Sequence, residues 1–342
     1  MKYKSLIKVP LLLTLALSSY VVNAEVSISG SYEFHYIDQA PGGDAAVTGA
    51  SNDYFQNDQK INITFSNKTD SGIDITMNQT LRANTTGESD VDVTSDGHSL
   101  TLEGGFGYIG LGANAGIGDE LTPTAADLIG PGSTDGKAPQ FYSSTGSLTS
   151  QQASLINFLD NDNNITYKVS PMTGLTVGVS YTDAGSGTTS NNDETVFASS
   201  YEFTSGDVSG TLAFASNSID ENTSGATDLD SSAMGITIAT GPLTFIYADA
   251  EDDQSASVKT EATDFGVSYN VSDNLTLAAA QTEIKESSGG ETLDVTSISS
   301  KYTIANGLDA YITYHDYDYK NGSSGATSDD GSATIFSIEA TF

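Results

Sequence analysis

Carboxylates dominate the chemistry available to this chain. Between Ala113 and Asn163 stand Asp119, Glu120, Asp127, Asp135, Asp160 and Asp162, against one base, Lys137. The whole chain carries 45 acidic residues, 12 basic ones, three histidines and no cysteine. Paired carboxylates can hydrolyse glycosides, but acids this numerous fall into pairs by chance. His35, His98 and His315 are scattered, and neither a thiol nor a G-x-S-x-G elbow is present, so the parts of a nucleophilic triad are missing. Gly105-Phe-Gly107-Tyr-Ile-Gly110 matches a dinucleotide fingerprint, but it lies between strand-like runs with no helix following to hold a pyrophosphate. Asp160-Asn-Asp162-Asn-Asn164 begins like a calcium loop and lacks its later glycine and glutamate. The chain therefore reads as a non-enzyme, with no cofactor and no dedicated metal site.

What the acids can do is set a potential. Residues 1–24 form a basic n-region with Lys2, Lys4 and Lys8, an apolar run from Val9 to Leu17, and Val22-Asn23-Ala24 before Glu25. That is the pattern of a cleaved secretory signal peptide, and the apolar run falls short of the ~20 residues a spanning helix needs. Setting aside the leader's three lysines leaves nine bases against the 45 acids, a net charge of about −36. Such an excess repels nucleic acid and anionic lipid and favours cations as partners, or a salty milieu that screens the self-repulsion. An exported chain without cysteine has no disulfide framework, so a large sheet or a metal must hold it together.

The elements positioning these charges are strands. Val26, Ile28, Gly30, Tyr32, Phe34 and Tyr36 alternate with Ser27, Ser29, Ser31, Glu33 and His35, giving one apolar and one polar face. The unit repeats to the end of the chain, with short turns near Thr69 to Gly72, Gly104-Gly105, Pro171 to Gly174, Ser205 to Asp207, Gly241-Pro242, Ser272 to Asn274 and Asn306-Gly307. Longer polar loops alternate with these turns. The count is sixteen strands, seven short turns and eight longer loops, the signature of an all-β, transmembrane antiparallel barrel. Val177, Val179 and Tyr181, like Phe265, Val267, Tyr269 and Val271, are expected to face lipid. Thr176, Gly178 and Ser180, like Asp264, Gly266 and Ser268, are expected to face a wet lumen.

In such a barrel the acidic segment 113–163 is far too long for an ordinary connection and is expected to fold inward and narrow the lumen. Asp119, Glu120 and Asp127 are the candidates for the loop side of this constriction. Lys60, Arg82 and Lys168 have inward parity. Arg82, in register with Asp74 and Thr80, is the expected wall charge opposite the loop. Acidic patches in pores favour cations. Phe141 and Tyr142 in the loop could stack on sugars, whereas Tyr311, Tyr314, Tyr317 and Tyr319 are read as an interfacial aromatic girdle. Thr334, Phe336, Ile338, Ala340 and Phe342 share one face, and a terminal phenylalanine on such a strand is a recognition signal for outer-membrane assembly machinery.

Two stretches carry a family resemblance. Leu100 to Gly112, LTLEGGFGYIGLG, resembles the strand, tight turn and strand before the constriction loop of Gram-negative general porins. Asn163 to Pro171, NNITYKVSP, followed by Gly174-Leu175, resembles the strand and Ser-Pro turn after it. The resemblance implies a sixteen-stranded homotrimer in the outer membrane of a Gram-negative bacterium, with residues 25–342 as the barrel and the third external loop folded inside. It implies a water-filled channel for passive diffusion of small hydrophilic solutes and ions. The family's wall arginines are not matched, since Leu159-Asp160 stands where one is usual and Arg82 is the only arginine in the chain. The family's anion preference therefore does not carry over, and cation selectivity is expected. The competing readings are an exported acidic adhesin or surface-layer protein whose aromatic faces form a sandwich core, and a barrel specific for one solute class.

Overall fold

A computed structural model describes residues 25–42, 53–86, 93–113, 116–130, 163–183, 192–221, 229–255, 258–287, 290–320 and 329–342. The leader, and with it the cleavage expectation, lies outside the described residues. Sixteen antiparallel strands close into a barrel, each paired with its neighbours in sequence and the first with the last. They are β1 Glu25–Gly42, β2 Asp53–Lys68, β3 Asp74–Thr86, β4 Val93–Gly104, β5 Gly107–Ala113 and β6 Asn163–Met172. There follow β7 Leu175–Asp183, β8 Asn192–Ser205, β9 Val208–Glu221, β10 Leu229–Thr240 and β11 Leu243–Ser255. The last are β12 Val258–Ser272, β13 Leu275–Glu286, β14 Thr292–Ala305, β15 Leu308–Lys320 and β16 Asp329–Thr341. Closure leaves no unpaired edge in lipid. At the seam, Phe342 N donates to Gly30 O at 2.9 Å and Gly30 N to Phe342 O at 3.3 Å.

Seven connections are the tight turns that the turn signals predicted; of the other eight, β11 to β12 takes only two residues and β13 to β14 five, no more than a tight turn, and the remaining six are longer. Glycines with positive φ make the tight turns affordable; at Gly174, φ is +81° and a Cβ would stand 2.4 Å from Glu202 O. Several strands exceed the nine to eleven residues that cross a bilayer, with 18 in β1 and 16 in β2. The surplus lies at the long-loop end, where outward positions turn from aromatic to acidic: Tyr181 precedes Asp183, and Tyr314 precedes Asp316 and Asp318.

Alternation sorts the side chains as expected. Phe197, Phe214, Phe265, Ile298, Ile312 and Phe336 are exposed on the outer surface, whereas Glu194, Asn217, Asp264, Ser297, Thr313 and Ser337 are buried on the inner one. A sandwich would have covered those aromatic faces, so the sandwich-core alternative is overturned by the closed barrel. The tyrosine girdle needs correction too. Tyr314 points outward, but Tyr311, Tyr317 and Tyr319 have odd numbers on β15, share the inner face with His315, and are buried. A period of two separates them from Tyr314.

Candidate functional site

The long connection between β5 and β6 lies inside the barrel over its described residues, 116–130. Its described part is a short helix α1, Ile117–Leu121, followed by a 3-10 turn, Ala125–Leu128. Helix α1 lies against β7, β8 and β9, and the 3-10 turn against β11, β12 and β13. The segment therefore follows the inner wall along one side of the lumen. Asp135, Lys137, Phe141, Tyr142, Asp160 and Asp162 lie outside the described residues.

Small wall residues make room for it. A Cβ at Gly178 would stand 2.6 Å from Ile117 Cγ1, one at Gly235 2.9 Å from the Pro123 ring, and one at Gly266 2.8 Å from Ala125 Cβ. Around these contacts lie Ala198, Ala215, Ala233, Ala248 and Ala262, which pack with Ile117 in one buried cluster. Ile117 and Ala125 have no solvent exposure. Burying an isoleucine contributes about 1.5–3 kcal/mol.

Hydrogen bonds fix the register of the loop on the wall. Asp264, itself without exposure, accepts the Ala125 N–H with both carboxylate oxygens at 2.8 Å. Gly130 N donates to Ser299 Oγ at 3.2 Å, and Ile117 N to Ser180 Oγ at 3.4 Å. A charged acceptor on a buried N–H contributes about 1.5–3 kcal/mol, so Asp264 is the strongest single polar anchor of the three. Gly178, Ser180, Asp264 and Gly266 thus have the expected inward parity, but they meet the loop and not open water. The physical reason is size: only positions without bulk admit a second layer inside the wall.

The sequence-predicted acids divide. Glu120 pairs with Lys168, whose ammonium also stands 4.3 Å from the centre of the Tyr108 ring. Asp127 accepts the Thr124 N–H at 2.9 Å and closes a capping box over its own 3-10 turn. Both Asp119 and Asp127 are exposed. The structure thus joins Glu120 to Lys168, and it places Lys60 and Arg82 in a different group.

That second group lies on β1, β2 and β3. Arg82 Nε and Nη2 donate to Asp58 at 3.0 and 2.9 Å, a bidentate pair in which the Asp58 side chain is 7% exposed. Lys60 is directly opposite Arg82 across the β2–β3 ladder, and Glu33 is opposite Asp58 across β1–β2. On the next strand Glu33 faces Glu339. His35 beside it hydrogen-bonds Ser337 Oγ at 2.8 Å and lies 3.5 Å from Glu33. Asp58, Tyr108 and the anchoring role of Asp264 were missed in the sequence. Parity gave a signal for Asp58, which is two residues from Lys60. Nothing local marks Tyr108, because its importance comes from a strand 60 residues away.

Comparisons with known proteins fit this arrangement. A sequence profile described as Gram-negative porin matches residues 12–322. No curated protein matches the chain by sequence. A multiply substituted form of Rh. blastica porin superposes with a TM-score of 0.66 at 15% identity, over 93% of this chain and 100% of that one. A second substituted form gives 0.66 at 16% identity, and a Rhodopseudomonas blastica porin triple mutant gives 0.65 at 16%, both with the same coverage. At these identities the likeness concerns the fold.

Proposed function

The chain belongs to the Gram-negative porin family and is an outer-membrane β-barrel channel, and from that premise we propose that it conducts cations in preference to anions. The observation that carries this reading is the pairing of wall bases with acids. Arg82 is held by Asp58 and Lys168 by Glu120, so neither cation presents an uncompensated charge to the lumen. Asp119 and Asp127 on the loop, and Glu33 and Glu339 on the wall, add negative charge. A charge of about −36 on residues 25–342 supplies a background potential of the same sign. Small hydrophilic solutes and ions then pass by diffusion between the loop and the wall of β14 to β6, with Asp119, Glu120 and Asp127 on the loop side of the constriction and Lys60, Arg82 and Lys168 on the wall side.

Family membership also supports assembly as a homotrimer, with residues 1–24 removed on export and Phe342 read by the assembly machinery. No catalytic step belongs to this reading. Its test is the reversal potential of the purified protein in a planar bilayer under a salt gradient. The expected result is stepwise conductance with a cation-selective potential that weakens when Asp119, Glu120 and Asp127 are changed together to Asn, Gln and Asn. A potential of zero or of anionic sign would overturn the selectivity while leaving the channel in place.

A further inference from the structure

On the short-turn side of the loop, a recess of about 210 Å³ opens between the 3-10 turn and the wall of β13, β14 and β15. Its lining joins opposite charges with a small apolar surface: Asp127 and Leu128 from the loop, and Thr276, Ser299, Lys301 and Tyr311 from the wall. The space is large enough for several waters or one small solute.

The polar groups are held in place before any solute arrives. Lys301 Nζ is 2.9 Å from Asp309 Oδ2 and 5.5 Å from the centre of the Tyr311 ring. Tyr311 Oη donates to Glu339 at 3.1 Å. Ser299 is fixed by the Gly130 N–H on one side and by Thr313 at 3.1 Å on the other. An ammonium has three donors, so Asp309 does not exhaust Lys301. Asp127 is exposed beside the recess, and a carboxylate has about four acceptor positions.

We propose that this recess is a subsite for a small zwitterion of α-amino-acid size, its carboxylate on Lys301 and its ammonium on Asp127. The proposal rests on the channel reading, because the solute reaches the recess through the lumen. A simple cation would leave the remaining donors of Lys301 unused, and a simple anion would meet the carboxylates of Asp127 and Asp309. A molecule carrying both charges satisfies both, and a small side chain finds Leu128 and Ala278 beside them. Polar atoms make up more of this lining than apolar ones, as a solute carrying two charges requires.

The test is potassium current through the purified channel as L-alanine is added. L-Alaninamide, which lacks the carboxylate, and N-acetyl-L-alanine, which lacks the free ammonium, are the comparison solutes. Expected is a saturable fall in current with L-alanine alone. In Lys301→Met and in Asp127→Asn, each normalised to its own conductance, the half-saturating concentration should rise about tenfold, the equivalent of about 1.4 kcal/mol. Lys301→Met abandons Asp309, so Lys301→Met with Asp309→Asn is the second variant and should show the same loss. Equal, unsaturated responses to all three solutes would overturn the site, as would saturation kept in either lysine variant or in Asp127→Asn. Absence of current before any solute is added would instead refute the channel reading.

Discussion

The inner wall of this barrel has two faces of opposite character. From β7 to β12 the inward positions include the small residues Gly178, Ala198, Ala215, Gly235, Ala248, Ala262 and Gly266; from β1 to β3 they include the long polar and charged Glu33, His35, Asp58, Lys60, Asn78 and Arg82. The first arc is covered by the loop and is dry where Ile117 and Ala125 meet it. On the second, Thr64 donates to Asn78 at 2.7 Å and Thr80 to Asn62 at 2.9 Å, a polar ladder across β2 and β3. Both arcs obey the same alternation of inward and outward side chains. The size of the inward residue decides whether a second layer of protein can lie against it, and the charge decides what passes where it does not.

The comparison breaks most severely at Ile117. An aspartate there would place an unpaired charge in a site with no solvent exposure, at a cost of several kcal/mol. Ile117→Asp should therefore release α1 from the clad arc, raising single-channel conductance and current noise in a barrel that still inserts. Unchanged conductance would mean that the small-residue arc does not set the width of the path.

A milder break removes one anchor. Asp264→Ala leaves the Ala125 N–H without its buried carboxylate, a loss of about 1.5–3 kcal/mol of docking. Open-channel noise should rise while the mean conductance changes less than in Ile117→Asp. An Asp264→Ala channel as quiet as the parent would show that the apolar contacts hold the loop unaided.

The smallest expected change sharpens the open arc. Asp58→Asn frees the positive charge of Arg82 and should lower the cation-to-anion permeability ratio. In a water-filled lumen a unit charge at 4 Å acts with about 1 kcal/mol, which bounds the change at about fivefold. Adding Arg82→Gln to Asp58→Asn should restore most of the ratio. The contrast should also fade in 1 M salt, where the Debye length is about 3 Å. A ratio indifferent to Asp58→Asn at low salt would show that the pair has no influence on the permeating ion.

Much of this architecture could be read in the chain because strand alternation is local. A period of two, turns near Gly174, Gly241 and Gly307, and the long interruption after Ala113 needed no knowledge of distant contacts. The same local rule failed where the environment, and not parity, was the question. Gly178 and Asp264 were assigned the inner face, yet a loop that begins 60 or more residues away covers them. Tyr317 and Tyr319 were assigned by residue type to an interface, yet their numbers put them with His315 inside. For the site, parity put Lys60, Arg82 and Lys168 on one face but could not pair them, since Asp58 reaches Arg82 across a strand and Glu120 reaches Lys168 from the loop.

By itself, then, the sequence determined an exported, acidic, sixteen-stranded barrel with one exceptional connection, because turn chemistry and two-residue periodicity act over a few residues. Only the tertiary structure decided where that connection lies and which charges it neutralises. Those outcomes depend on complementary sizes and charges brought together from strands far apart in the chain, such as Gly266 beneath Ala125 and Tyr108 beneath Lys168, and no short window of residues contains both partners.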